Sequence, residues 1–175
     1  EDKFIVRTHS DRSRGAFYYY DSNTGELRKL AEVSPWLDEE KLAPMEPVRI
    51  PARDGLELPA YLTLPPGVEA KNLPAVLLVH GGPWARDAWG FDGEAQFLAN
   101  RGYAVLQVNF RGSTGYGREF WEKSFKQWGK AMQDDLTDSV KWLVDRGIAD
   151  PQRIAIYGGS YGGYAALAGM AFTPE

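Results

Sequence analysis

Three near-continuous apolar runs alternating with amphipathic segments predict an α/β protein built on a doubly wound, mainly parallel sheet. The runs are LPAVLLVH (73–80), YAVLQVNF (103–110) and DPQRIAIYG (150–158), each read as a strand buried on both faces. After the first comes FDGEAQFLANRG (91–102), a helix closed by Gly102. After the second comes GKAMQDDLTDSVKWLVDRG (129–147), which puts Met132, Leu136, Val140, Leu143 and Val144 on one helical stripe with Gly147 at its end. The small-residue stretch YGGYAALAGMAF (161–172) reads as the last helix.

The chain before residue 73 has a different grammar. KFIVRTHS, AFYYYD and ELRKL read as short strands separated by the polar break DRSRG and the turn SNTG. So few strands cannot close a core alone, so they resemble one unit of a β-repeat. AEVSPWLDEEKLAPMEP serves as a proline-bearing connector. A second hairpin follows in VRIPARDGLELPAYLTLP, with RDGLE as its turn. The expected division is therefore residues 1–45, a repeat unit plus linker, and residues 46–175, the α/β part.

Composition narrows the partners. A net charge of −4 and a pI near 5.3 give no electrostatic reason to expect nucleic acid or an anionic membrane surface. No apolar run approaches the roughly 20 residues that span a bilayer. The absence of cysteine rules out disulfides, thiolate metal sites and cysteine nucleophiles, and fits a cytoplasmic location. No motif calls for a cofactor or a metal ion.

The chemistry concentrates in YGGSYGGY (157–164). Gly158-Gly159-Ser160-Tyr161-Gly162 fits G-x-S-x-G, and its context is strand, sharp turn, then helix, as a nucleophile elbow requires. Glycines two before and two after the serine leave room for a tight strand–helix crossing and a strained nucleophile. A phosphate-binding loop is the weaker reading, because no lysine follows and G-x-G-x-x-G is not satisfied. His80-Gly81-Gly82-Pro83, after the first buried strand, reads as an oxyanion loop. The backbone N–H groups of Gly81 and Gly82, with that of Tyr161, are the expected donors. His80 reads as an orienter of that loop, with a role as base the alternative. In NFRGSTGYG (109–117), Asn109 and Arg111 are candidate substrate contacts; the alternative for Arg111 is a pairing with a nearby acid that stiffens the loop.

Taken together, LLVHGGPWA, VNFRGSTGYGREF, DDLTDSVKWLV and DPQRIAIYGGSYGGYAAL resemble the prolyl oligopeptidase family of serine peptidases, with the acylaminoacyl-peptidase-like branch closest. The resemblance runs from about residue 46 to the end. It implies an α/β-hydrolase domain capped by a β-propeller, with residues 1–30 similar to the last blade. It also implies a peptide substrate, Ser160 as nucleophile, and Gly82 and Tyr161 as backbone oxyanion donors. His80 stands where other branches carry a tyrosine that assists the oxyanion.

One departure shapes the functional expectation. α/β-Hydrolases place the acid and then the histidine after the serine. After Ser160 there is no histidine, and the sole acid is Glu175. His9 belongs to the N-terminal repeat unit. The chain is therefore expected to be a fragment of an incomplete α/β-hydrolase, poorly active alone, whose far strand pairs with a missing C-terminal segment or another chain. An esterase of the same fold and a non-catalytic assembly module are the competing readings.

Overall fold

The computed structural model describes residues 2–174. Two separate sheets are present. The first is an antiparallel three-stranded sheet of β1 (Lys3–Arg7), β2 (Ala16–Asp21) and β3 (Glu26–Glu32) in sequential order. β1 and β3 are exposed along their whole length, and Ile5 and Leu27 present 65% and 63% of their surface to solvent. As expected, this N-terminal unit does not join the main sheet.

The second sheet has the order β4-β5-β7-β6-β8, from β4 (Met45–Pro51), β5 (Glu57–Thr63), β6 (Leu73–Leu78), β7 (Ala104–Val108) and β8 (Ala149–Tyr157). β7–β6 and β6–β8 pair parallel, while β4–β5 and β5–β7 pair antiparallel. The mainly parallel sheet expected is thus a mixed one. The reason is the hairpin turn at Ala52–Leu56: Leu56 O accepts from Ala52 N at 2.8 Å, and Gly55 adopts φ +84°. That turn folds β5 back on β4, and β5 then adds to β7 rather than standing apart.

Strand alternation sorts the core to two faces. Leu77, Leu106 and Val108 join the larger cluster with Met132, Leu136 and Leu143 of α3 (Ala131–Asp145). Leu78 and Val105, one residue out of phase, pack with Ala95 and Ala99 of α1 (Gly93–Ala99). The doubly wound arrangement follows from this phase. A short α2 (Arg118–Glu122) precedes α3, and α4 (Tyr161–Phe172) packs against β8 and α3. Gln96, buried in α1, ties down the connector: its Oε1 accepts from Ala43 N at 2.9 Å and its Nε2 donates to Ala43 O at 2.7 Å.

β8 departs from the buried strand expected. Only Ala149 is buried, while Ile154 and Ile156 are half-buried against the larger cluster. The strand sits at the sheet's edge, and among the described residues no strand pairs with its outer side. Its apolar sequence therefore faces solvent. Leu167, Met170 and Phe172 on the outward side of α4 are exposed with it. Among the described residues, no helix is long and apolar enough to cross a membrane.

Candidate active site

The elbow is built by exclusion of side chains. A Cβ on Gly158 would lie 2.3 Å from the carbonyl oxygen of Val79, and one on Gly162 would lie 2.1 Å from the same atom. α4 can therefore start against the end of β6 only if both positions are glycine. Between them, Ser160 is held at φ 56°, ψ −116°, left-handed backbone that a non-glycine residue adopts at a cost of about 1–3 kcal/mol. It is exposed, and its side chain does not cap α4. Among the described residues, Ser160 Oγ makes no hydrogen bond, so the hydroxyl is uncommitted.

The His80–Pro83 turn lies against it. A Cβ on Gly81 would approach Ser160 Cβ to 3.3 Å and Oγ to 3.9 Å. Gly82 sits at φ +119°, where a Cβ would be 2.6 Å from Trp84 N, so only glycine fits the turn. The structure thus brings Gly81 against Ser160, with Gly82 next in the turn, and Tyr161 follows as the first residue of α4, whose early N–H groups have no partner within the helix. Burial raises the Tyr161 phenol above its ordinary value, so it stays neutral. Its ring packs edge-on against Trp128 at 5.0 Å.

His80 is placed as an orienter. Its Nδ1 lies 2.8 Å from Gly81 O and its Nε2 lies 2.9 Å from Ser113 Oγ. A carbonyl oxygen only accepts, so Nδ1 carries the proton and Nε2 accepts from the Ser113 hydroxyl. The ring stacks on Phe110 with centroids 4.5 Å apart. Burial pushes its pKa below 6.5, which keeps it neutral. Both ring nitrogens are engaged, so the alternative role as base has no free atom.

Asn109 and Arg111 are not placed as substrate contacts. Asn109 is fully buried: its Oδ1 accepts from Asp87 N at 2.8 Å, and its Nδ2 donates to Asp87 O at 3.1 Å and Tyr116 Oη at 2.8 Å. It clamps the backbone at Asp87, at the far end of the loop that begins at His80. Arg111, 6% exposed, donates from Nε and Nη2 to Asp135 at 2.9 and 2.7 Å, and from Nη1 to Asp54 at 2.9 Å. Asp135 also accepts from Arg111 N at 2.8 Å, which fixes the loop backbone. The hydrogen bonds to Asp135 hold the guanidinium pKa above its ordinary value. The bracing alternative is the one realised, because a buried guanidinium needs a buried counter-charge.

Sequence reasoning missed Asp135, although a trace was present. It lies three residues after Met132 and directly before Leu136, on the buried side of an amphipathic helix, where a carboxylate demands a cationic partner. Asp54 and Ser113 left no such trace; their roles exist only once the loops meet. Among the described residues, no three His, Cys, Asp or Glu side chains converge to hold a metal ion.

The comparisons with known proteins agree with this geometry. Residues 89–175 match the prolyl oligopeptidase family. Across its whole length the chain is 48% identical to dipeptidyl aminopeptidase BIII of Pseudoxanthomonas mexicana, of which it covers 27%. Over 71% of its length it is 43% identical to dipeptidyl peptidase family member 6 of Caenorhabditis elegans, of which it covers 20%. Among solved structures, a puromycin-hydrolyzing peptidase of Mycobacterium tuberculosis superposes with TM-score 0.85 at 33% identity, over 98% of this chain and 27% of that one. An acylaminoacyl peptidase of Pyrococcus horikoshii superposes with TM-score 0.81 at 27% identity, over 99% and 28%. The chain spans about a quarter of the length of these relatives. A mixed sheet with helices on both faces, a glycine-bounded serine elbow and these matches lead to one conclusion: the chain belongs to the prolyl oligopeptidase family.

Proposed function

We propose that this chain carries the nucleophile half of a serine peptidase site that cleaves peptide bonds through an acyl-enzyme on Ser160. The observation that carries the proposal is an exposed serine with strained backbone and an uncommitted hydroxyl, lying against the glycines of the oxyanion loop. Ser160 Oγ attacks the carbonyl carbon of the scissile bond. The oxygen that becomes negative accepts hydrogen bonds from the N–H groups of Gly82 and Tyr161. The proton leaving Oγ passes to a histidine and then to the departing amine; water afterwards releases the acyl group. Neither His9, beyond β1 in the N-terminal unit, nor His80, with both nitrogens engaged, suits that role. The base comes from polypeptide outside these residues, seated along the open edge of β8.

The names of the relatives favour peptides over simple esters as the substrate class. Trp84, Trp128 and Tyr164, all exposed, flank the oxyanion loop and the elbow and offer apolar contact to a substrate. The exposed apolar residues of β1 and β3 support reading residues 1–45 as a last propeller blade plus linker, beside an α/β part of 46–175. The absence of cysteine supports a cytoplasmic setting.

The test is hydrolysis of a free dipeptidyl amide by the 175-residue chain, and by the product of the uninterrupted reading frame, each with and without Ser160→Ala. The isolated chain should show only the residual acceleration of a site lacking its base, about 10³–10⁴-fold over water. The longer product should turn over faster by orders of magnitude and lose that on Ser160→Ala. Full turnover by the isolated chain would overturn the external base. Indifference of the longer product to Ser160→Ala would overturn the nucleophile.

A further inference from the structure

A concavity opens beside the elbow, on the α1 side of the sheet. Its volume is about 340 Å³, and its wall includes Gly81, Gly158 and Gly159 on one side and Asp87, Asp92 and Gln107 on the other. Its wall carries three carboxylates, Asp87, Asp92 and Glu94, beside His80, Gln107 and Tyr157. Asp92 is spent: Oδ1 accepts from Glu94 N and Ala95 N at 2.9 Å each, and Oδ2 accepts from Gln107 Nε2 at 3.1 Å. Glu94 Oε1 accepts from Tyr157 Oη at 3.2 Å. Two oxygens remain. Gln107, 2% exposed, has its Oε1 buried without a partner, and Asp87 Oδ2 is likewise buried and unpartnered.

The amide orientation is fixed by chemistry. Gln107 Nε2 must face the Asp92 carboxylate, so Oε1 is left as an acceptor with nothing to accept from. A buried acceptor without a donor costs about 1–3 kcal/mol, so a donor entering this cavity gains by pairing with either oxygen. Burial first, and the neighbouring Asp92 second, raise the Asp87 carboxyl to about 7, against the weaker opposing influences of the Gln107 side chain and the Arg86 guanidinium. No trio of side chains among the described residues is placed to chelate a metal ion. The group that fits is compact, cationic and carries several N–H donors.

We propose that this cavity is a binding site for a protonated primary amine, held by Asp87 Oδ2 and Gln107 Oε1. The ammonium donates one hydrogen bond to each oxygen and neutralises the carboxylate cluster. Its source is either the free α-amino group of a peptide or the side chain of a lysine. The site does not depend on Ser160 acting as a nucleophile, so it stands or falls by binding alone.

The experiment is an amide NMR titration of the 175-residue chain with three probes: glycyl-phenylalaninamide, Nα-acetyl-lysinamide and N-acetyl-glycyl-phenylalaninamide. The first carries only an α-amine, the second only a side-chain amine, the third neither. Saturable shifts of the Gln107 side-chain amide and of the Gly81 and Gly159 N–H signals with either amine, and not with the third probe, are expected. Asp87→Asn, nearly isosteric, should weaken the amine by about tenfold or more, since hydrogen bonds to charged groups contribute about 1.5–3 kcal/mol. Which amine saturates first identifies the source. Equal shifts with the acetylated probe, no shift with either amine, or undiminished binding to a folded Asp87→Asn chain would each overturn the proposal. The probe comparison on the unmodified chain decides the matter even if that variant does not fold.

Discussion

Gly162 in the first turn of α4 sits directly over the carbonyl of Val79 at the end of β6, so close that a methyl group would lie 2.1 Å from that oxygen. This contact fixes how α4 meets the sheet and hence the position of Ser160. The obstructing atom is backbone, so no side-chain rotation relieves it.

Gly162→Ala should therefore destabilise the chain by about 2 kcal/mol or more, the upper part of the overpacking range, despite the roughly 1 kcal/mol gained in helix propensity. Gly163→Ala is the matched control, because its Cβ would lie 3.4 Å from Gly158 O and finds ordinary contact. Urea unfolding of the two variants checks the contrast; equal stabilities would refute the crossing argument.

The neutral His80 makes a pH prediction. Its folded pKa lies below the 6.5 of the unfolded chain, so below about 6.5 the unfolded state binds more protons than the folded one. Its contribution to stability should be fully present above that value and decline as pH falls through 6.5 toward the folded pKa. His80→Gln should flatten this part of the stability–pH curve. NMR titration should place the His80 midpoint in the folded chain below that of a free imidazole; a midpoint at or above it would contradict its placement.

The Arg111–Asp135 pair predicts a large asymmetry between single and double substitution. Asp135→Ala leaves a buried guanidinium with only Asp54, itself half exposed, and should cost about 3–5 kcal/mol. Replacing both, as Arg111→Met with Asp135→Leu, should cost markedly less. Denaturant midpoints of the three proteins test this; a double variant as weak as Asp135→Ala would show that the charges themselves are required.

Much of the site was legible because it is local. Ser160, its bounding glycines and the His80-Gly81-Gly82 turn lie in short stretches whose backbone demands are written in glycine and in strand–helix context. The helical stripe of Met132, Leu136 and Leu143 was legible for the same reason, and all three are buried. What was not legible depends on partners distant in sequence. Arg111 met Asp135 and Asp54 instead of substrate, and Asn109 was absorbed by Asp87 and Tyr116. The apolar run of β8 read as a strand buried on both faces, yet only Ala149 of it is buried, because no strand among the described residues pairs with its outer side. The β4–β5 hairpin was visible, but its addition to β7, which makes the sheet mixed, was decided by packing across the whole domain.

The central claim, that Ser160 is a poised nucleophile, is tested most directly by exposing the folded chain to a fluorophosphonate and mapping the adduct by peptide mass spectrometry, with imidazole added as a soluble base. The account predicts phosphonylation at Ser160 ahead of every other hydroxyl, accelerated by imidazole and abolished by Ser160→Ala. A folded chain that stays unmodified at Ser160 while other hydroxyls react would contradict it.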